Sequence, residues 1–192
     1  MKRNNPYFLF ACLLNLMFAN ALASLRPVPW LTHKAIIFLD QFMKTRPNAK
    51  VLEFGSGSST LWFAQRTKNL VSVEHAVQWF DEVGKILNAN PKCFTVKRIF
   101  HTVPYYSVCE DFTDNYFDLI LVDGRNRNGC IKHAIRILKR GGVLMLDNAE
   151  RPYYQPGIKL LEGWKSVSTD QPEPDSCGFT YPGWRTNWYT KP

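Results

Sequence analysis

Short apolar segments alternate with amphipathic segments along most of the chain, and this alternation constrains the fold more than any other feature. Five segments have the length and apolar character of buried strands: residues 50–55, 70–74, 94–99, 117–122 and 142–146. Four others carry apolar residues at helical spacing: residues 32–45, 58–68, 77–88 and 127–140. This regular order of strands and helices predicts an α/β fold with a Rossmann-like, doubly wound, mostly parallel sheet.

The rest of the chain adds fewer elements to the same sheet. We predict a helix over residues 157–164, strands over 164–169 and 185–191, and a loop rich in Pro, Gly and acidic residues over 170–183. We expect the C-terminal strand to run antiparallel. The 192 residues, 45% of them hydrophobic, suit one domain, which we place at residues 24–192. The same apolar content excludes a disordered chain.

Residues 1–23 have the three parts of a secretory signal. Lys2 and Arg3 precede an apolar stretch that two asparagines interrupt, and small residues follow at 21–24. The stretch is short for a membrane span, which needs about 20 apolar residues. We expect a cleaved signal and an exported or secretory-pathway protein, with membrane contact only if the segment stays attached as a signal-anchor. The alternatives are a cytoplasmic protein that starts at Met17 and an N-terminal helix packed on the domain.

The cysteines form no metal or redox motif, because none of them is spaced as C-x-x-C. Beyond the predicted signal, four remain: Cys93, Cys109, Cys130 and Cys177. In an exported protein these four permit three disulfide pairings that the sequence does not distinguish. Ordinary buried thiols are the default expectation.

A glycine pair directly after the first predicted strand carries the most information about a ligand. Gly55 and Gly57 let the backbone turn tightly and approach a ligand without a clash from a Cβ atom. A dinucleotide site would want a third glycine where the chain has Thr60, and Glu53 would lie badly beside a pyrophosphate. The Glu53 carboxylate suits a cationic amine instead, and Glu74 suits a ribose diol. Together they favour the sulfonium nucleoside S-adenosylmethionine over NAD.

The segment E-F-G-S-G-S-S, residues 53–59, resembles the first motif of the class I S-adenosylmethionine-dependent methyltransferases, with Ser59 where many members have a third glycine. The resemblance covers nearly all of residues 30–150. It implies that S-adenosylmethionine binds to residues at two strand ends: Glu53, Gly55, Ser56, Gly57, Ser59, Glu74 and His75. By the same resemblance, the glycines lie under the methionine part, Glu53 near its amino group, Glu74 at the ribose and His75 beside the adenine.

Polar side chains follow the fourth and fifth predicted strands, whose carboxyl ends open on one edge of a parallel sheet. Asp123, Asp147 and Asn148 could bind Mg²⁺ or another divalent cation, which prefers oxygen ligands. The pattern resembles the metal-dependent catechol-type and caffeoyl-CoA-type O-methyltransferases, and it implies a cation that activates a substrate hydroxyl. Those enzymes carry a lysine three residues after the first aspartate, where this chain has Asn126. Without a metal, Asp123 or Asp147 could serve as the general base.

Two longer segments are similar to those of a branch of small methyltransferase-like proteins. They are V-D-G-R-x-R-x-x-C, from Val122 to Cys130, and L-D-N-A-E-R-x-x-Y, from Leu146 to Tyr154. Within the first, Arg125 and Arg127 carry planar guanidinium groups suited to a carboxylate or a phosphate. They could bind an anionic substrate, or they could brace the loop by pairing with nearby acids. The candidate catalytic residues are therefore these two arginines and the aspartates at 123 and 147.

The net charge of +8 and the basic face of the helix over 127–140 are compatible with a nucleic-acid contact. A solvated outer face explains them better, because the apolar positions of that helix already point inward, and we expect a small-molecule or saccharide substrate. The leading hypothesis is methylation of a hydroxyl oxygen. The alternatives are methylation of nitrogen in a macromolecule and a catalytically silent cofactor-binding or secreted interaction module.

Overall fold

The computed structural model describes residues 25–102, 104–171 and 183–192, so the predicted signal segment and Cys177 lie outside the described residues. Within these ranges the helices are α1 (His33–Thr45), α2 (Ser58–Ala64), α3 (Val77–Ala89), α4 (Arg127–Ile137) and α5 (Gln155–Lys159). The strands are β1 (Val51–Phe54), β2 (Leu70–Glu74), β3 (Lys97–Phe100), β4 (Phe117–Val122), β5 (Leu138–Asp147), β6 (Lys165–Gln171) and β7 (Trp184–Thr190). Short 3₁₀ segments occupy Tyr105–Asp111 and Pro152–Tyr154.

The strands form one seven-stranded sheet in the order β3-β2-β1-β4-β5-β7-β6. Strands β1 to β5 pair in parallel, and β7 runs antiparallel between β5 and β6. The predicted doubly wound α/β fold with an antiparallel C-terminal strand is therefore confirmed. Because β1 pairs with β2 on one side and β4 on the other, the strand order reverses there and opens a crevice at the carboxyl ends.

Helices cover both faces of the sheet, which explains the nearly continuous apolar composition of its central strands. Val51 packs with Leu39 and Phe63 in the cluster on one face. Its neighbour Leu52 packs with Ile131 in the cluster on the other face. All of these side chains are fully buried. The sheet is therefore a rigid support for the loops at its carboxyl edge.

Helix α4 ends three residues earlier than the helical spacing predicts, and β5 begins directly at Leu138. Lys191 Nζ donates to the carbonyl oxygens of Ile135 and Leu138 at 2.8 and 2.7 Å, where the helix ends. Lys139 Nζ lies 2.6 Å from Asp118 Oδ1 on the neighbouring strand β4. These contacts come from distant parts of the chain, and they convert the predicted last turn of the helix into strand.

Three further boundaries also differ from the prediction. Strand β3 begins at Lys97 rather than at Phe94, because Phe94 N donates to Ala64 O at 2.8 Å and holds that residue at the end of α2. Helix α2 accordingly ends at Ala64, four residues before the predicted end. Helix α5 begins at Gln155, two residues before the predicted start, and Pro156 lies in its first turn, where proline is favourable.

The cysteines within the described residues, Cys93, Cys109 and Cys130, are free thiols. Burial raises the pKa of Cys109 to about 12 and also raises the pKa of Cys130, so both thiols are protonated near neutral pH. In the same residue ranges, no helix combines the length and the apolar character that a membrane span requires.

Candidate active site

Two glycines bring the loop after β1 against the loop after β4. Gly55 has a φ of +102°, and a Cβ atom on it would lie 2.9 Å from Gly124 N, so the backbone would have to move. Gly124 in turn packs on Tyr105, whose ring would lie 2.6 Å from a Cβ at position 124. Tyr105 Oη donates to Val73 O at 2.5 Å. The predicted glycine turn is present. It packs against the backbone of the loop after β4 and also borders the crevice.

Glu53 lies fully buried beneath this turn and anchors it through hydroxyl groups. Gly57 N donates to Thr60 Oγ1 at 2.8 Å, and that hydroxyl donates to Glu53 Oε2 at 2.5 Å. Ser72 Oγ donates to the same oxygen at 2.7 Å, whereas Oε1 has no hydrogen-bond partner among the described residues. Burial raises the pKa of Glu53 to about 7, although the surrounding hydroxyls oppose this shift.

Glu74, at the end of β2, receives three backbone N–H groups. Ser56 N donates to Oε2 at 3.0 Å, and His75 N and Ala76 N donate to Oε1 at 2.7 and 2.8 Å. Oε2 therefore keeps a lone pair for a further donor. His75 Nε2 accepts a hydrogen bond from Arg125 Nε at 2.8 Å, so the imidazole is neutral in this arrangement. His75 Nδ1 lies 2.8 Å from Glu74 Oε1 without the alignment of a hydrogen bond.

A cavity of about 440 Å³ opens at the carboxyl ends of β1, β2 and β4. Six of the seven residues predicted to bind the cofactor line it: Gly55, Ser56, Gly57, Ser59, Glu74 and His75. Asp123 and Arg125, predicted from the loop after β4, line it as well. Glu53 does not, because its carboxyl group lies behind the glycine turn. The sequence prediction and the cavity thus agree on the place of the site, while the contacts with a ligand stay predictions.

Two tryptophans of this cavity are absent from the sequence prediction. Trp79 lies in the first turn of α3; its Nε1 donates to Ser56 O, and its ring would lie 3.6 Å from a Cβ at Gly57. Trp30, in the segment before α1, lines the same cavity. A signal for Trp79 existed, since it follows Glu74 by only five residues at the start of the next helix. Trp30 had no such signal, because only tertiary packing brings it there.

Arg127 joins the ends of β4 and β5. Its side chain is 7% exposed, and its guanidinium group donates to Gly124 O, Asp123 O, Asp123 Oδ1 and Asp147 O. The pair with Asp123 is charge-assisted, with 2.8 Å between Nη2 and Oδ1. The sequence left two roles open for Arg127, binding an anionic substrate or bracing the loop by pairing with nearby acids. These contacts support the bracing role. Arg125 is exposed and contacts His75 instead.

Asp147 is buried, and its carboxylate faces β7. Its Oδ1 accepts hydrogen bonds from Trp184 Nε1 at 2.8 Å and from Thr186 Oγ1 at 2.7 Å. Burial raises its pKa well above the ordinary range, and the nearby charge of Asp123 acts in the same direction. The carboxylate therefore holds the antiparallel strand in place. Its predicted catalytic role stays a prediction, which these contacts disfavour.

The three residues predicted to hold a divalent cation, Asp123, Asp147 and Asn148, do not form a suitable donor set. The carboxylate of Asp147 already accepts hydrogen bonds from β7. Asn148 is buried in a left-handed conformation with a φ of +50°. The guanidinium group of Arg127, a permanent cation, already bridges the two strand ends. Across the part of the chain that the structure describes, no group of three His, Cys, Asp or Glu side chains could hold a metal ion. These residues do not fit the cation.

Ligands of doubly wound sheets bind outside the carboxyl ends of the strands, where the strand order reverses, and the cavity lies at that point. With the antiparallel β7 inserted beside β5, the fold and the site define a Rossmann-like domain of the methyltransferase type. A family model described as a methyltransferase domain matches residues 52–149, just over half of the chain. The chain belongs to this methyltransferase family.

Solved structures with the same fold are similar at low sequence identity. An O-methyltransferase from Bacillus cereus in complex with SAH has a TM-score of 0.64 at 17% identity, covering 94% of this chain and 91% of its own. The cofactor-bound Rv0187 from MTB has a TM-score of 0.61 at 19% identity and covers 98% of both chains. A methyltransferase-like protein from Silicibacter pomeroyi has a TM-score of 0.59 at 20% identity, covering 88% and 91%. Among curated protein sequences, none matches the chain.

Proposed function

We propose that this methyltransferase takes its methyl group from S-adenosylmethionine and transfers it to a hydroxyl oxygen of a small or saccharide-like substrate. The observation that carries the proposal is the cavity at the switch point, where a glycine turn, the Glu74 carboxylate and a neutral imidazole meet. Membership of the methyltransferase family supports methyl transfer. The similar O-methyltransferase from Bacillus cereus, in complex with SAH, supports both the cofactor and the oxygen acceptor.

The residues present fit the cofactor. Glu53 Oε1 is buried behind the turn and has no hydrogen-bond partner in the part of the chain that the structure describes, and a cationic amine nearby would favour the ionised carboxylate. Glu74 Oε2 has a lone pair left for a ribose hydroxyl. Trp79 and His75 offer flat surfaces to an adenine ring. When bound, S-adenosylmethionine supplies an electrophilic methyl group on a positively charged sulfur.

Asp123 is the residue of this cavity best placed to receive the proton of the acceptor hydroxyl. Its side chain is 28% exposed, and Arg127 holds Oδ1 while Oδ2 accepts no hydrogen bond from the described residues. Burial raises the pKa of Asp123, although Arg127 opposes the shift, so the carboxylate is a stronger base than an exposed aspartate. Asp123 would therefore take the proton of the acceptor hydroxyl as the methyl group leaves the sulfur, which becomes a neutral thioether, and bonds to the hydroxyl oxygen; Arg127 would keep the carboxylate in position.

Calorimetric titration of the protein with SAH tests the cofactor site. We expect saturable binding, and weaker binding after Glu74→Gln, because the amide cannot accept three backbone N–H groups and a ribose hydroxyl as the carboxylate does. The exposed Glu82→Gln serves as the control and should bind like the wild type. A wild-type protein that binds neither SAH nor S-adenosylmethionine would be the silent module, and the proposal would be abandoned.

Methyl transfer to a panel of hydroxyl compounds, with and without EDTA, tests the acceptor atom and the metal. We expect transfer that EDTA leaves unchanged, because Arg127 rather than a cation bridges the two strand ends. Asp123→Asn should lower kcat by about 100-fold or more through loss of the base. Asp114→Asn, at an exposed ion pair, should not. Transfer only to nitrogen of a protein or nucleic acid would contradict the oxygen assignment.

A further inference from the structure

A second cavity, of about 520 Å³, adjoins the first one at Gly124 and Arg125, which line both. It lies between the loop after β4 and the segment after β5. Three of its eight lining residues are arginines, at positions 125, 127 and 151, and the pair Tyr153 and Tyr154 forms another part of the wall. None of these lining residues, all within the described part of the chain, is acidic. The cavity is therefore lined by cationic and aromatic groups directly beside the cofactor cavity.

The three arginines of this cavity differ in their charged partners. Arg127 is neutralised by Asp123 at 2.8 Å, and Arg151 Nε lies 3.5 Å from Glu150 Oε1. Arg125 is the exception, because it donates to the neutral imidazole of His75 and has no carboxylate within ion-pair distance among the described residues. Arg125 thus brings a positive charge without a carboxylate partner among the described residues to the junction of the two cavities, both of which it lines.

The arginines also differ in whether they hold the two loops together. Arg127 alone makes four hydrogen bonds to the backbone and side chains at the ends of β4 and β5. Arg151 lines the cavity and contacts its neighbours Glu150 and Tyr153, the latter with 3.2 Å between Nη1 and the phenol oxygen. The loops are therefore joined by Arg127, and an open space remains in front of Arg125 and Arg151.

We propose that this second cavity binds the methyl acceptor, and that the acceptor carries a carboxylate or phosphate group held by Arg125 and Arg151. The inference rests on the proposed function, because it takes the first cavity as the cofactor site. A planar guanidinium group matches such an anion with two parallel hydrogen bonds. The acceptor hydroxyl then lies at the junction, beside Asp123, and the carbon skeleton lies against Tyr153 and Tyr154.

Titration of the SAH-saturated protein with 4-hydroxybenzoate, its uncharged analogue 4-hydroxybenzamide and inorganic phosphate tests the site. We expect at least one anion to bind. If the carboxylate is recognised, 4-hydroxybenzamide should bind more weakly than 4-hydroxybenzoate by about tenfold or more. Arg151→Gln should weaken binding of the anion by about tenfold or more and leave the affinity for SAH unchanged, since Arg151 does not line the cofactor cavity. Arg151→Lys should restore part of the affinity.

Arg140→Gln is the matched control, because this exposed arginine at the opposite end of β5 loses the same charge. Equal effects of Arg140→Gln and Arg151→Gln would overturn the proposal, as would the absence of binding by both anions. Melting curves of the variants exclude misfolding as the cause, and Arg125→Gln provides a second loss of charge at the same cavity. If SAH itself does not bind, the proposed function fails, and the anion titration repeated without SAH still reports on the second cavity.

Discussion

The carboxyl group of Glu53 is unusual, because it is fully buried and one of its oxygens has no hydrogen-bond partner among the described residues. Its pKa of about 7 lies above the ordinary value of 4.5, so the folded protein binds this proton more tightly than the unfolded chain does. The stability that depends on this group is therefore highest below pH 4.5 and falls as the pH rises toward 7. Above pH 7 the full cost of burying the charge is present.

Glu53→Gln removes this dependence. We expect the variant to gain about 3 kcal/mol of unfolding free energy relative to the wild type between pH 4.5 and pH 8. Denaturant unfolding at several pH values measures the difference. Glu82→Gln, at an exposed ion pair, should give no such gain. A pH-independent difference between the Glu53 variant and the wild type would show that the carboxyl group titrates normally.

At the scale of elements, the loops after β1 and β4 are packed so closely that neither glycine has room for a side chain. Gly55→Ala adds both the strain of a positive φ and a contact of 2.9 Å with Gly124 N. We expect it to cost about 3 kcal/mol or more. Gly141→Ala has a φ of +70° and nothing within 4 Å, so it should cost only about 1–2 kcal/mol. Thermal denaturation compares the stabilities of the two variants. Equal losses of stability would mean that the loop after β4 moves away from a Cβ at position 55 at little cost.

Elements with strong local patterns were predictable, whereas ends that depend on distant contacts were not. Strands β2 and β4 have the predicted bounds because both are continuous apolar runs between breaks. The predicted end of α4 was wrong because the observed end depends on Lys191. That residue is distant in sequence, so the local sequence of the helix contains no signal for the contact. The start of β3 was wrong for the same kind of reason, since the bond from Phe94 to Ala64 depends on the packed position of α2.

At the scale of the whole molecule, motif spacing and strand order together predicted which strand ends border the first cavity. Residues from the ends of β1, β2 and β4 were predicted to meet because parallel strands share one carboxyl edge, and they line one cavity. Strand order and motif spacing did not predict the direction in which each side chain points. Asp147 is likewise at the carboxyl end of a parallel strand, yet its carboxylate accepts hydrogen bonds from β7, whose position beside β5 the sequence does not specify.

Because the first cavity draws residues from several elements and from the segment before α1, a ligand in it should stabilise the entire fold. At about 100 times its Kd, SAH should add about 2.7 kcal/mol and raise the Tm by roughly 5–10 °C. Differential scanning calorimetry measures the shift. Trp79→Phe should reduce it through weaker binding, whereas Trp164→Phe, remote from the cavity lining, should not. An unchanged Tm at saturating SAH would contradict binding at this place.

The contact of Lys191 with the carboxyl end of α4 has a practical consequence for anyone handling this enzyme. The 11 residues of α4 span about 16 Å, and the helix starts at Arg127, which joins the ends of β4 and β5 and lines the second cavity. Replacement of Lys191 by alanine would remove the contact at one end of this helix. Its effect would extend to Arg127 at the other end, and so to the loops that Arg127 holds together.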